Sequence, residues 1–440
     1  MASERLSRRG FLALAATGAL AGCNALPEPF SEDQQSPKLD ASELEAMASE
    51  DGPDVSPPNP VAVEQSYFDE SVARVEKRLE TVPAPLDSDD VPNEAIRKRL
   101  VGAYERANDE LDALSGAEPS VAALDDVRRA RENAQFAATA WEVITTDRTR
   151  RDVARQIPEI RSDLDAFRGR WQYLGDDPIQ AVFVHETIES LVGIADRHAE
   201  RNQRQRYADP QNPLAVGEFA GRLEEARAAV ADASYLYDQF EGSLDSARNL
   251  RPTFEQTSES LGETLAKRRS RLPTTTENGE ATFVERDISE TLAERALEEL
   301  FRDARYSNLD EFRTEGRYAH AVLEAHSDLA EVRAFRSLRK QVEDGRNFTI
   351  ESAADVKSLR ATAVEAISNA PSQTRYGRLA REVAWDLSGY VEYADEEFGR
   401  IRSSPRADWV HRDVVNYLTA TEIARAVPSA SDDVGDELRD

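Results

Sequence analysis

The sequence predicts an all-α protein built from long antiparallel helical bundles. Three observations carry this. Apolar residues recur at spacings of three and four through most of positions 61–428. β-branched alternation is nearly absent, with Ala281–Val284 and Asn347–Ile350 as the only short strand candidates. Proline and glycine cluster at intervals that leave helices of about 20–35 residues, roughly 30–50 Å long, as antiparallel bundles require.

The elements follow from the breaks. Pro83 and Pro85 end a first helix, and Val91-Pro92-Asn93-Glu94 opens a second. Ser115-Gly116 and Glu118-Pro119-Ser120 separate the second from a third. Further breaks fall at Gly175–Pro178, Asp209–Pro213, Arg251-Pro252, Pro273–Gly279, Gly345, Pro371 and Ser404-Pro405. Between them run apolar stripes such as Leu292, Ala296, Leu297, Leu300 and Phe301, and Val322, Leu329, Val332 and Phe335.

The order of breaks recurs. Tyr67-Phe68 leads to a helix ending at Pro83, and Thr253-Phe254 to one ending at Pro273. Ala95–Leu114 pairs with Ile288–Leu309, Val127–Thr145 with Gly316–Val342, Ile160–Trp171 with Val356–Ile367, and Ile179–Arg201 with Arg375–Arg400. The offset, roughly 190 residues throughout, reads as two repeated five-helix units, 61–249 and 250–428. Low residue identity leaves chance recurrence of helix breaks as the alternative.

Composition bounds the function. The chain has 440 residues and a net charge of -29, with 84 acids against 55 bases, and only six of the bases are lysine. That balance argues against tracking a phosphate backbone, so no nucleic-acid partner is expected. A single cysteine rules out an internal disulfide framework and any multi-cysteine metal site.

The flanks differ from the body. Ser7-Arg8-Arg9-Gly10-Phe11-Leu12-Ala13 precedes an apolar run, Phe11–Ala21, too short to span a bilayer core of about 30 Å. Leu20-Ala21-Gly22-Cys23 follows. Residues 24–60 hold seven prolines and nine acids against one lysine, a composition that reads with Cys23 as a disordered tether, 23–60. Residues 429–440 read as a second disordered acidic tail.

The first of these motifs resembles a twin-arginine export signal and the second a lipobox, in the right order. Acid-rich, lysine-poor composition resembles that of proteins from extreme halophiles. Together they are similar to haloarchaeal twin-arginine-exported lipoproteins; Ala13 stands where many such signals carry lysine. The resemblance implies a signal peptide over 1–22, with Arg8 and Arg9 as the export pair, and Leu20, Ala21 and Gly22 admitting a peptidase. It implies a lipid on Cys23 and a folded protein on the outer face of the cell membrane. The implied partners are membrane lipid, through Cys23, and an envelope protein.

Candidate chemistry is sparse. His185 and Glu189 lie one helical turn apart, as do His320 and Glu324, a spacing that can present two metal ligands. Asp196 and Glu200 follow on the face of His185. His185 also sits between Val182 and Ile188 on an apolar stripe, and His326 between Val322 and Leu329, so satisfied core histidines are expected and no cofactor. Imelysin-like surface proteins are similar in being exported pairs of helical bundles, which implies a metal-binding alternative. Their His-x-x-Glu motif is absent, because His185 is followed by Glu186 and Glu189. Phosphate loops, dinucleotide glycines and nucleophile elbows are absent too. Trp141, Trp171, Trp385 and Trp409 read as packing residues, and the arginine clusters at 148–151 and 267–271 as helix C-terminal charge. The expected function is a lipid-anchored extracytoplasmic helical binding or scaffold protein rather than an enzyme. A metal-binding or metal-dependent surface protein of helical-bundle type is the alternative.

Overall fold

The fold is that of a computed structural model, which describes residues 36–201, 211–274 and 282–440. It is all-α. A first short helix, α1 (Ala41–Ala48), precedes two six-helix units. Unit 1 comprises α2 (Gln65–Leu79), α3 (Glu94–Ala113), α4 (Val121–Thr145), α6 (Ile157–Arg170), α7 (Pro178–Arg201) and α8 (Pro213–Ser243), with the short α5 (Arg150–Ala154) before α6. Unit 2 comprises α9 (Arg251–Arg269), α10 (Leu292–Arg305), α12 (Tyr318–Glu343), α13 (Ala353–Asn369), α14 (Gly377–Gly399) and α15 (His411–Glu437). The short α11 (Leu309–Glu315) falls before α12.

The two units repeat one packing scheme. In unit 1, α4 packs on α2, α3 and α8, and α8 also on α6 and α7. In unit 2, α12 packs on α9, α10 and α15, and α15 also on α13 and α14. Each unit therefore has the five expected helices and a sixth, its last, α8 or α15. Each unit also buries a glutamate on its last helix with an arginine three residues on, Glu224 with Arg227 and Glu422 with Arg425, both at 2.9 Å.

Side-chain caps explain most starts. Asn93 Oδ1 accepts from the backbone N–H of Ala95 and Ile96, Ser120 Oγ from Ala123, Asn212 Oδ1 from Leu214 and Ala215, and Thr291 Oγ1 from Glu294. The strand candidates at 281–284 and 347–350 are not strands where described. Among the described residues the only sheet is a two-residue antiparallel pair, β1 (Leu174–Gly175) with β2 (Arg248–Asn249). It ties the connection before α7 to the junction between the units.

Two flanking expectations are corrected. Residues 36–60, the later part of the expected tether, form a strap. Leu39, Leu44 and Met47 are buried, α1 lies on α13 and α14, and Asp40 caps α1. Leu39 N–H donates to Pro405 O and Ala407 N–H to Pro37 O, each at 2.9 Å. Arg360 Nη2 then holds the carbonyl of Glu50 at 2.7 Å, and Pro57–Pro60 crosses between Gln180 and Phe183 of α7 and Arg378 and Arg381 of α14. A segment too polar to build its own core can still place three apolar side chains in a neighbour's. Residues 24–35 lie outside the description.

The expected acidic tail at 429–440 is the last part of α15. It runs through Pro428 to Glu437 because Ala430, Ser431 and Val434 are buried and its acids are paired. Asp433 meets Arg268 and Arg333, and Asp436 meets Arg375 and the Tyr376 hydroxyl. Burial and pairing outweigh the cost of an interior proline, about 3 kcal/mol.

Candidate functional site

Residues singled out in the sequence meet where unit 1 faces unit 2. The face of α7 that carries His185 and Glu189 packs against the start of α12. Tyr318, the first residue of α12, follows Arg317, whose side chain makes no capping bond. The first amide groups of α12 would otherwise be buried without acceptors. Glu189 supplies the missing acceptors. Its Oε1 accepts from Ala319 N–H at 3.0 Å and its Oε2 from His320 N–H at 2.8 Å. These are the second and third amides of the helix, the two an N-cap side chain normally serves. Here the cap comes from the other unit.

Glu189 is 2% exposed. Burial raises its carboxyl to about 7, although Tyr173, His320 and Ala319 all donate to it and favour the charge. Tyr173 adds a chemical argument. Its hydroxyl lies 2.6 Å from Glu189 Oε1 and 2.9 Å from Gly316 O. One phenolic proton cannot serve both acceptors. Both contacts are hydrogen bonds at once when Glu189 is protonated, donating to the phenol while the phenol donates to Gly316.

His185 lies in the same layer, fully buried. Its Nε2–H donates to Leu174 O at 2.7 Å and its Nδ1 accepts from Trp171 Nε1–H at 3.2 Å. That fixes the neutral tautomer. Burial lowers its pKa to about 4. Both nitrogens are engaged, so neither faces a ligand. The ring packs 5.0 Å from Tyr173. His320 packs against Phe312 in a tilted contact with ring centroids 4.2 Å apart, with Nδ1 at 3.0 Å from Arg317 Nη2 and 3.2 Å from Glu186 Oε1. Glu324 accepts from Asn308 N–H at 2.7 Å.

His185, Glu189 and His320 therefore meet in one neighbourhood, but as capping and packing groups. Glu324 is turned to the connection before α11. Among the described residues, no three His, Cys, Asp or Glu side chains are placed to hold a metal ion. His326, also fully buried, bonds Ser431 Oγ through Nε2 at 2.9 Å.

Beside Glu189 the seam opens into a cleft of about 550 Å³. Trp171, Arg168, Asp196 and Arg197 line it from unit 1, and Gly316 and Arg317 from unit 2. Arg168 and Asp196 pair across its rim. A cleft between two units is a common place for a ligand. Two aromatics depart from the packing expectation: Trp385 is 40% exposed and Trp409 70%. Cys23, Arg8, Arg9, Leu20, Ala21 and Gly22 lie outside the described residues, as does the side chain of Glu200.

Sequence reasoning missed Tyr173 and the shared cap. A signal was available, because Gly316-Arg317 offers no side-chain acceptor ahead of a long apolar helix. Among the described residues, no helix is long and apolar enough to cross a membrane. No curated protein matches the chain, and no solved structure does. Residues 66–246 match the family described as Domain of unknown function (DUF8262), and residues 251–436 match Domain of unknown function (DUF8264). The body thus carries two family matches end to end, one for each helical unit.

Proposed function

We propose that this is a lipid-anchored, extracytoplasmic helical binding or scaffold protein that works in concentrated salt. The observation that carries the reading is the order Arg8-Arg9, apolar run, Leu20-Ala21-Gly22-Cys23 ahead of a folded body. Cys23 is the only thiol of the chain, so one lipid attachment point is available. The strap supports a short connection. Only residues 24–35 separate Cys23 from the described chain, a reach of at most about 40 Å. The body would stay near the surface, where a tether raises the local concentration of a partner. Acid-rich composition supports the salt reading, since concentrated salt screens repulsion among surface carboxylates. Glu189 is engaged in joining the units, and the buried His185 and His326 in bonds within their own units, which favours binding over catalysis, with the seam cleft as the place where a ligand reaches both units.

The test is Cys23→Ser in the natural host. The expected result is loss of the protein from the membrane fraction, or accumulation of an uncleaved, unlipidated precursor. Unchanged membrane retention after normal cleavage would overturn the anchor.

A further inference from the structure

The chain is strongly acidic, yet one cleft is basic. Past the end of α9, the second half of α12 is open to solvent over a cavity of about 580 Å³. Arg271, Arg333, Arg336, Arg339 and Lys340 line it, and Glu343 is the one acid among its lining residues. Leu272 and Phe335 form its apolar part. Acids outnumber bases 84 to 55 in this chain, so a surface cation readily finds a partner. Arg339 takes Glu343, and Arg333 shares Asp433 with Arg268. Among the described residues, Arg271, Arg336 and Lys340 have no carboxylate within ion-pair distance.

Two ordinary explanations fail. The helix dipole favours cations only in the last turn, and Arg333 and Arg336 stand well before the end of α12 at Glu343. A merely solvated stripe in so acidic a chain would find carboxylates, whereas Arg271, Arg336 and Lys340 line one cleft with no carboxylate partner among the described residues. Burial, then Arg268 and Arg336 nearby, push the Arg333 guanidinium below its ordinary value. The other unit shows what the fold does without this feature. The second half of α4 carries Phe136, Ala137 and Trp141, roofed by Val82 and Leu86. Unit 2 has an apolar roof as well, Phe283 packed on Phe335 at 5.8 Å, and adds beside it a row of cations that unit 1 lacks at that place.

We propose that this cleft binds a multivalent phosphate-type oxyanion, either the headgroup of an anionic lipid or a free polyphosphate. Guanidinium groups match phosphate oxygens in bidentate geometry. Arg333 to Lys340 spans about 10 Å along the helix, more than one phosphate covers, so the ligand carries at least two anionic groups or presents several together. The inference does not depend on the lipid anchor.

The full chain with Cys23→Ser removes the anchor from the assay. It is titrated calorimetrically with inorganic pyrophosphate. In parallel it is sedimented with phosphatidylglycerol–phosphatidylcholine vesicles, with phosphatidylcholine vesicles as control. Both run at the lowest salt that preserves the helical circular-dichroism signal. Binding to either probe, weakening as salt is added, is expected; vesicles alone would identify a headgroup, pyrophosphate alone a soluble ligand. Adding Arg336→Ala and Lys340→Ala, both on exposed positions, should weaken binding about 10- to 100-fold. The equal charge change Arg74→Ala with Lys98→Ala, on exposed positions of unit 1, should leave binding unchanged. The proposal is overturned if neither probe binds, if the first pair of changes has no effect, or if the second weakens binding as much.

Discussion

The two units share a plan and differ in the contacts between their central helices. In unit 1, α4 and α8 enclose charge. Arg131 Nη2 meets Glu224 Oε1 at 2.5 Å, and Arg128 reaches Asp232 at 3.4 Å, with all four side chains at most 10% exposed. The same helices approach closely at two glycines. A Cβ on Gly217 would lie 2.8 Å from Phe136 O, and one on Gly221 2.8 Å from Glu132 O. In unit 2, α12 and α15 meet through His326 with Ser431 and through Glu422 with Gln341, and Arg425 stays 45% exposed. One helix order tolerates either enclosed ion pairs or, at its buried centre, neutral partners, with the ion pair of Arg333 and Asp433 at the more exposed edge. The packing scheme is thus set by apolar spacing, and the polar contacts are local solutions within it.

The largest effect that tests this contrast comes from Arg131→Met. It leaves Glu224 buried with Arg227 as its only cation, and should cost about 4 kcal/mol in denaturant unfolding. Gln341→Met, which removes the neutral α12 partner of Glu422 and leaves Arg425 in place, should cost only about 2 kcal/mol. Equal losses would mean that the units do not differ in this way.

Next is the shared cap. The folded-state pKa of Glu189, raised to about 7, lies above its ordinary 4.5. Between those values the unfolded chain releases the proton and the native state keeps it, so this group's contribution falls as pH rises and then levels off. Glu189→Gln lacks that loss. Relative to wild type, the variant should gain up to roughly 3 kcal/mol between pH 4.5 and pH 7, read as unfolding free energy at several pH values. A difference independent of pH would show that Glu189 is ionised throughout.

Gly221→Ala should force α8 away from α4 and cost about 2 kcal/mol. The smallest effect is expected at Gly389 on α14, where an added Cβ meets nothing within 4 Å. There Gly→Ala should stabilise by about 0.5–1 kcal/mol. A loss at Gly389 would place an unseen contact on that face.

The helices were legible because their ends are marked by residues with only local consequences. Asn93, Ser120 and Asn212 each cap the helix that begins at the next residue, and Pro213 and Pro252 sit in the first turn of their helices. The strap and the end of α15 were misread for one reason. Proline and acid content describes the behaviour of a segment alone, while Leu44, Met47 and Val434 are buried against helices far away in sequence. The cap by Glu189 was hidden by the 130 residues that separate it from Ala319. The basic stripe was visible as Arg333, Arg336, Arg339 and Lys340 at helical spacing. It was overlooked because Val332 and Phe335, between them, identify the same stretch as core.

The strap decides how the body would answer a pull. Tension applied at residue 36 first meets the paired backbone bonds of Pro37 and Leu39 with Pro405 and Ala407, and then the docked α1. Bonds that share a load in shear resist better than bonds opened one at a time. Behind α1 stands the grip of Arg360 on the carbonyl of Glu50, so the load passes through three successive attachments to unit 2 before it reaches the helices of either half.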